Sequence, residues 1–147
     1  EVVGLMCLKV FVNGDEKKFT ELKPYAMKLG SAFQKINFLR DLKDDYHVLG
    51  RTYFPEIDLN RFDDETKAKI EVEIEKEFKE ALIGIKKLPI NSKFGVYLAY
   101  KYYWSLFKKI KKTKAKVILK QRVRIADTHK LALMMGCYVN SKVARWV

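Results

Sequence analysis

The residues best suited to chemistry lie in the stretch "QKINFLRDLKDDYHVLGRTYFP", positions 34–55, and in the glycine just before it. On a helix, which turns about 100° per residue, one continuous stripe is formed by Gly30, Gln34, Asn37, Asp41 and Asp45. Two carboxylates one turn apart repel each other unless a positive charge lies between them. Mg²⁺ suits such a pair, because it takes oxygen ligands and keeps waters and substrate phosphate oxygens. The stripe therefore predicts a site for Mg²⁺ and an anionic ligand.

The same spacing has a plainer interpretation, the polar outer face of an amphipathic helix. Two aspartates four residues apart are a weak signal by themselves. The stripe, however, continues through a glycine and two amides rather than through the Lys and Glu usual on a solvated face. Arg51 and Tyr53 follow at once, in a loop bounded by Gly and Pro that can close over phosphates. These two features favour the metal and phosphate site.

The stripe needs a long helix to hold it, and the apolar spacing predicts one over about 20–46. Thr20 is its predicted N-cap, with Pro24 tolerated in the first turn. Before it, residues 2–12 are predicted to be the end of a buried helix that stops at the Asn-Gly-Asp of 13–15. That segment opens abruptly in apolar sequence, which predicts that the chain is a fragment.

Three further helices are predicted downstream. The first runs from the cap Asp63 to about 86, with apolar residues at every fourth position, and it is broken by Pro89. The next follows Asn91 as its cap and runs to about 110, and the last covers 123–139. Few stretches alternate as strands do, so the predicted fold class is all-α, as a single domain over 1–147.

Composition bounds the functional classes. The 147 residues are 48% hydrophobic and 33% charged, which excludes a disordered chain and a membrane-embedded one. The two cysteines stand in apolar surroundings and predict buried thiols in a reducing compartment, hence a cytoplasmic location. From position 105 onward there are twelve Lys or Arg and one acid, a net charge of +11. A tail this basic predicts an anionic partner: nucleic acid, a phospholipid surface or a phosphorylated substrate.

The segment "LGSAFQKINFLRDLKDDYHVLGRTYFP" resembles the second aspartate-rich motif of the squalene and phytoene synthases. It matches at the Gln, Asn, Leu-Arg-Asp and second Asp positions and in the Gly-Arg-x-Tyr-x-Pro that follows. Elsewhere, "VVGLM" is similar to an early helix of the family, "YYWSLFKKI" to a tyrosine-bearing helix with Tyr103 as its tyrosine, and "RVRIADTHKLAL" to its closing segment with Arg122 at a basic position. The resemblance covers essentially the whole chain but accounts only for the C-terminal half of the family.

The resemblance implies an isoprenoid-synthase-type helical bundle that joins two prenyl diphosphates head to head with Mg²⁺. The implied reaction takes two geranylgeranyl diphosphates to phytoene, in carotenoid biosynthesis. The alternative is a squalene or dehydrosqualene synthase that acts on farnesyl diphosphate, with NADPH needed only for squalene. Carried over residue by residue, the implied metal ligands are Asn37, Asp41 and Asp45. The implied catalytic residues are Asp41, Asp45 and Tyr53, and the implied substrate-binding residues are Gln34, Arg40, Arg51, Tyr103 and Arg122.

One departure from the family matters, since its first aspartate-rich motif is absent from these residues. We therefore expect the 147-residue chain to be inactive alone and to self-associate through an uncovered apolar face. The basic tail is interpreted as a surface for anionic lipid, which predicts a cytoplasmic protein peripheral to the membrane. A basic helical nucleic-acid-binding module is the distant rival, but it leaves the polar stripe unexplained, so no nucleic-acid partner is expected. A third hypothesis is a scaffold domain without catalysis, and the intact second aspartate-rich motif argues against it.

Overall fold

The structure, a computed structural model, describes the backbone of residues 2–44 and 62–143 and the side chains of 2–42 and 62–139. All regular structure within these ranges is helical, which confirms the all-α prediction. The helices in chain order are α1 (Val2–Phe11), α2 (Glu16–Asp44), α3 (Asp64–Lys87), α4 (Ile90–Lys111), α5 (Ala115–Ile118) and α6 (Asp127–Val143).

The turn between α1 and α2 is made by Asn13 and Gly14, which have positive φ angles of 50° and 78°. Asp15 then caps α2, since its carboxylate accepts a hydrogen bond from the backbone N–H of Lys18 at 3.0 Å. The predicted start at Thr20 is therefore wrong. The Thr20 hydroxyl instead donates to the Glu16 carbonyl at 2.9 Å inside the helix. Pro24 lies well within α2, where a missing N–H is less readily tolerated than in a first turn.

Helix α3 follows its prediction closely. Asp63 accepts a hydrogen bond from the backbone N–H of Thr66 at 2.8 Å, as an N-cap does. The predicted cap of α4 is wrong, because α4 begins at Ile90 after Pro89 and Asn91 lies inside it. The last predicted helix is divided differently as well: residues 122–126 have no regular structure and α6 begins at Asp127.

Helix α2 buries one face in the main core. Ile36, Leu39 and Leu42 are fully buried, and they pack in one cluster with Ile74 and Phe78 of α3. Residues of α4 and α5, among them Phe107 and Ile118, close the same cluster. The apolar side of α2 thus fixes the orientation of its opposite, polar side.

Helices α2 and α3 run antiparallel and are tied by a partly buried polar network. Lys35 donates to Glu73 and to Glu77, each at 2.9 Å, and Ser31 donates to the same Glu77 oxygen at 3.0 Å. Burial alone would lower the pKa of Lys35, but the two carboxylates outweigh it and raise the pKa above its ordinary value. At the other end of the pair, Lys87 donates to Glu21 at 2.8 Å.

Two glycines allow helices to approach closely on either side of α2. A Cβ atom at Gly4 would lie 2.9 Å from the Ala26 carbonyl oxygen. A Cβ atom at Gly84 would lie 2.3 Å from Cβ of Tyr25, an atom too near the backbone to swing away. Helices α1 and α3 therefore approach α2 at distances that a larger residue would not permit.

Two helices keep an apolar face exposed. The prediction of a buried first helix is correct only for one side of α1, because its other side exposes Val2, Val3, Met6 and Val10. Helix α6 exposes Leu131, Met134, Met135, Tyr138 and Val139, which recur at helical spacing and form one stripe. No helix within the described residues is long and apolar enough to cross a membrane.

The close approach at Gly84 gives a stability test. Replacing an interior helix glycine with alanine normally stabilises by up to about 1 kcal/mol. At Gly84 we expect the reverse, a loss of about 1–3 kcal/mol in the free energy of unfolding, because the new methyl group meets Tyr25. Urea unfolding of Gly84→Ala and of the wild-type chain measures this change in the free energy of unfolding. Gly136→Ala is the matched control, since a Cβ there meets nothing within 4 Å, and equal stability of the two variants would contradict the expected clash.

Candidate active site

A cavity of about 640 Å³ lies between α1, α2, α3 and α4. Its polar end is lined by Gln34, Asn37 and Tyr103. Its far end is lined by Phe11, Leu22 and Leu88, which belong to or pack against a second apolar cluster. The cavity is thus asymmetric, with hydrogen-bonding side chains at one end and mainly hydrocarbon at the other, where Asn91 and Ser92 are the polar lining residues.

The polar end is organised by a contact between α2 and α4. The Tyr103 hydroxyl donates to Oδ1 of Asn37 at 3.2 Å. The Tyr103 ring stacks on Phe33, with centroids 3.9 Å apart and planes at 14°. The ring centroid of Phe33 in turn lies 6.0 Å from that of Phe78 in the core, so the stacking anchors Tyr103 to the packed interior. The structure therefore brings together two of the sequence-predicted site residues that are 66 positions apart.

One turn beyond Asn37, Asp41 is held between two arginines. Arg40 donates through Nε to both Asp41 oxygens, at 3.0 and 3.1 Å. Arg122, from the irregular segment before α6, places Nε 2.7 Å from Oδ1 of the same carboxylate. Three predicted site residues are thus one contact group, which links α2 to a segment more than 80 positions away.

The charge of this group favours an anion. Among the side chains that the structure describes, two guanidinium groups pair with one carboxylate, that of Asp41, so positive charge remains after pairing. The hydrogen bond to Asp41 raises the pKa of Arg40 above its ordinary value, which keeps it charged. A guanidinium presents several N–H donors in a planar fork, and this geometry matches phosphate oxygens as well as carboxylates.

The donor set also fits a hard divalent cation in part. Asn37 and Asp41 are one turn apart on the same face of α2 and offer an amide and a carboxylate oxygen. Oδ1 of Asn37 has a second lone pair beyond the one that Tyr103 uses, so that hydrogen bond does not exclude a metal. Among the side chains of 2–42 and 62–139, no group of three or more His, Cys, Asp or Glu residues forms a metal site.

Of the remaining predicted residues, the structure describes Gln34. Asp45, Arg51 and Tyr53 lie outside the described residues, so their predicted roles stay predictions. Gln34 is exposed at the polar end of the cavity, on the same face as Asn37. The predicted stripe is therefore present as far as Asp41.

Sequence reasoning missed the walls that complete the cavity. Cys7 of α1 and Gly95 of α4 line it, yet neither belongs to a motif. The only available signal was small residues on one face of α4, at Ser92, Gly95 and Ala99, which recur every three or four positions.

Comparison with known proteins identifies the family of the chain. The sequence model described as squalene/phytoene synthase matches residues 1–128. A curated relative, the bifunctional lycopene cyclase/phytoene synthase of Blakeslea trispora, is 25% identical over 150 residues, covering 90% of this chain and 25% of its own length. The chain thus spans about a quarter of that relative. No solved structure matches the chain.

Arg40 and Arg122 share the Asp41 carboxylate, so removing one arginine should change the affinities for cations and for anions in opposite directions. Arg122→Gln releases one Asp41 oxygen, so we expect the chain to bind Mg²⁺ up to about fivefold more tightly, as the loss of a partly exposed ion pair allows. Inorganic diphosphate should bind more weakly, since one guanidinium is gone. Titration calorimetry measures both.

Arg124→Gln is the control, because Arg124 lies in the same segment but forms no ion pair with Asp41. If Arg122→Gln and Arg124→Gln changed both affinities alike, Asp41 would not be the source of the effect.

Proposed function

Since the chain belongs to the squalene/phytoene synthase family, we propose that it contributes to the head-to-head joining of two prenyl diphosphates, in particular two geranylgeranyl diphosphates to give phytoene. The observation that supports this most strongly is the asymmetry of the cavity. The charged group of Arg40, Asp41 and Arg122 lies just beyond Asn37 and outside the cavity lining. A ligand that spans both would have its anionic head at this group and its apolar tail along the cavity. A prenyl diphosphate has these two parts in this order.

The diphosphate end would be held by charge. In the proposed site Asn37, Asp41 and Asp45 hold Mg²⁺, which when bound neutralises the leaving diphosphate as a Lewis acid. Arg40 and Arg122 exchange part of their pairing with Asp41 for diphosphate oxygens, and Arg51 with Tyr53 adds contacts from the following segment. Gln34 and Tyr103 border the first carbons of the tail.

The tail end would lie against mainly apolar side chains, with the cavity wall open to solvent at the exposed residues Cys7 and Gly95. Phe33, Tyr103 and the aliphatic residues of α1 and α3 line the cavity. An allylic cation formed when the diphosphate leaves is protected from water by such a lining. The stacked Phe33–Tyr103 pair presents aromatic rings close to where that charge develops, and ring faces attract cations.

The length of the substrate is part of the proposal. The relative from Blakeslea trispora is named as a phytoene synthase in one of its two activities, and this favours geranylgeranyl diphosphate for the present chain. The alternative is farnesyl diphosphate, leading to squalene or dehydrosqualene, with NADPH required only for squalene.

The proposed site predicts Mg²⁺-dependent binding of geranylgeranyl thiolodiphosphate, an analogue that does not ionise readily. We expect Asp41→Asn to weaken this binding by about tenfold or more, as loss of a charged contact of roughly 1.5–3 kcal/mol implies. Titration calorimetry with and without Mg²⁺ measures it. The same wild-type chain should release no diphosphate from geranylgeranyl diphosphate, because its 147 residues hold only the second of the two aspartate-rich motifs that the family uses.

Asp127→Asn is the control, since Asp127 is an exposed acid on α6 paired with Lys130. Binding that is equally strong without Mg²⁺, or equally weakened by both substitutions, would contradict the proposed site. Product from the wild-type chain alone would contradict the expected inactivity.

We also propose that an anionic membrane surface is a partner. The exposed stripe of α6 (Leu131, Met134, Met135, Tyr138 and Val139) lies beyond residues 1–128, the part that the family model matches. Lys130 lies on the same helix directly before Leu131, and Arg124 lies in the segment that leads into it, close enough to lower the pKa of Lys130. An apolar helix face flanked by cations suits the boundary between lipid headgroups and acyl chains.

Liposome binding tests this partner. Met135→Asp should reduce co-sedimentation with phosphatidylglycerol vesicles at low salt by several-fold, because the acid enters the apolar stripe and repels the anionic surface. Val72→Asp is the control, since Val72 is 70% exposed on α3 and outside the stripe. Equal losses in both variants, or equal binding of the wild-type chain to neutral vesicles, would contradict a specific basic and apolar surface.

The exposed side of α1 supports self-association of the chain. Val2, Val3, Met6 and Val10 form one apolar face beside the cavity. Contiguous apolar surface of this kind favours contact with a second apolar face, and a second copy of the chain supplies one.

A further inference from the structure

Gly95 differs from the other residues that line the cavity. It lies in the interior of α4, where glycine is less favourable than almost any other residue. A Cβ atom at this position would meet nothing within 4 Å. Packing between helices therefore does not require a glycine here, in contrast to Gly4 and Gly84. Gly95 is exposed and lines the cavity, so the space that its missing side chain leaves opens into the cavity at its solvent-accessible side.

The position of Gly95 along the cavity follows from the direction of α4. Tyr103 of α4 contacts Asn37 at the polar end, and Leu88, just before α4, lines the far end beside Leu22. Helices α4 and α2 therefore run in the same direction along the cavity. Gly95 is a little over two turns from Tyr103, a distance of about 12 Å. The cavity extends along α2 from Asn37 to Leu22, or about 22 Å.

These lengths can be compared with prenyl tails. An extended chain advances about 1.2 Å per bond, so the sixteen main-chain carbons of a geranylgeranyl group span about 19 Å and the twelve of a farnesyl group about 14 Å. A longer tail that starts beside Asn37 must pass Gly95 to reach the far end. A shorter tail ends close to it.

We propose that Gly95 determines which prenyl length the cavity accepts, by leaving open the path to its far end. The inference rests on the proposed function, since it assumes a diphosphate held at Arg40, Asp41 and Arg122. Cα–Cβ bonds tilt toward the N-terminus of a helix, so a side chain at Gly95 would project toward Asn91 and the far end. It would fill the space of the last five-carbon unit and leave most of the farnesyl length free.

The experiment compares two analogues on three chains. Geranylgeranyl and farnesyl thiolodiphosphates are titrated with Mg²⁺ into the wild-type chain, Gly95→Leu and Gly136→Leu. We expect the wild type to prefer the geranylgeranyl analogue by about tenfold or more, as burial of five extra carbons implies. In Gly95→Leu this preference should disappear through weaker geranylgeranyl binding, while farnesyl binding changes by less than about threefold.

Gly136→Leu makes the same substitution at an open helix position outside the cavity, so it should keep the wild-type preference. Circular dichroism and thermal unfolding check that the variants fold, and Gly95→Ala, with one added carbon, provides a smaller change in the same direction. A Gly95→Leu chain that keeps the wild-type ratio of affinities, or a wild type that does not prefer the longer tail, overturns the inference and leaves the proposed function standing. If the wild type binds neither analogue, or binds both without need of the diphosphate, the proposed function itself fails.

Discussion

Helix α2 must bury one side in the core and present polar residues on the other, and the rest of the structure depends on this constraint. One side of this helix must be buried against α3, α4 and α5, through Ile36, Leu39 and Leu42. The other must present Asn37 at the end of a cavity and Asp41 one turn beyond it. A period of 3.6 residues allows both, because the two sets fall on opposite sides of one helix. Any change in the register of the core would rotate the polar groups away from Tyr103 and Arg122.

The charged group around Asp41 is held by elements that are distant in sequence. Arg40 is its neighbour on α2, whereas Arg122 comes from the irregular segment between α5 and α6. That segment is itself positioned by packing, since Val123 and Ile125 are buried in the main core and Lys109 of α4 donates to the Arg124 carbonyl at 2.5 Å. The site therefore depends on the C-terminal part of the chain as much as on the motif that carries its aspartate.

The sequence predicted the parts of this arrangement that local chemistry determines. Spacing along one helix is enough to predict the cap at Asp63 and the regularly spaced apolar residues of α3. It also predicts the face of α2 that carries Gln34, Asn37 and Asp41. The predicted start of α2 at Thr20 is wrong because the turn with positive φ angles at Asn13 and Gly14 makes Asp15 the cap. The pairing of Arg122 with Asp41 and the opening beside Gly95 depend on contacts between helices, which no local pattern contains.

The cysteines show the same division, and they have a practical consequence. Sequence context predicted two buried thiols, but only Cys137 is buried, and burial raises the pKa of its thiol. Cys7 is exposed and lies on the cavity wall. Maleimides react with thiolates, and a buried thiol of raised pKa, such as that of Cys137, does not readily ionise to a thiolate. A single fluorophore can therefore be attached at Cys7 without any substitution. The natural chain thus carries its own attachment point for an optical reporter of what enters the cavity.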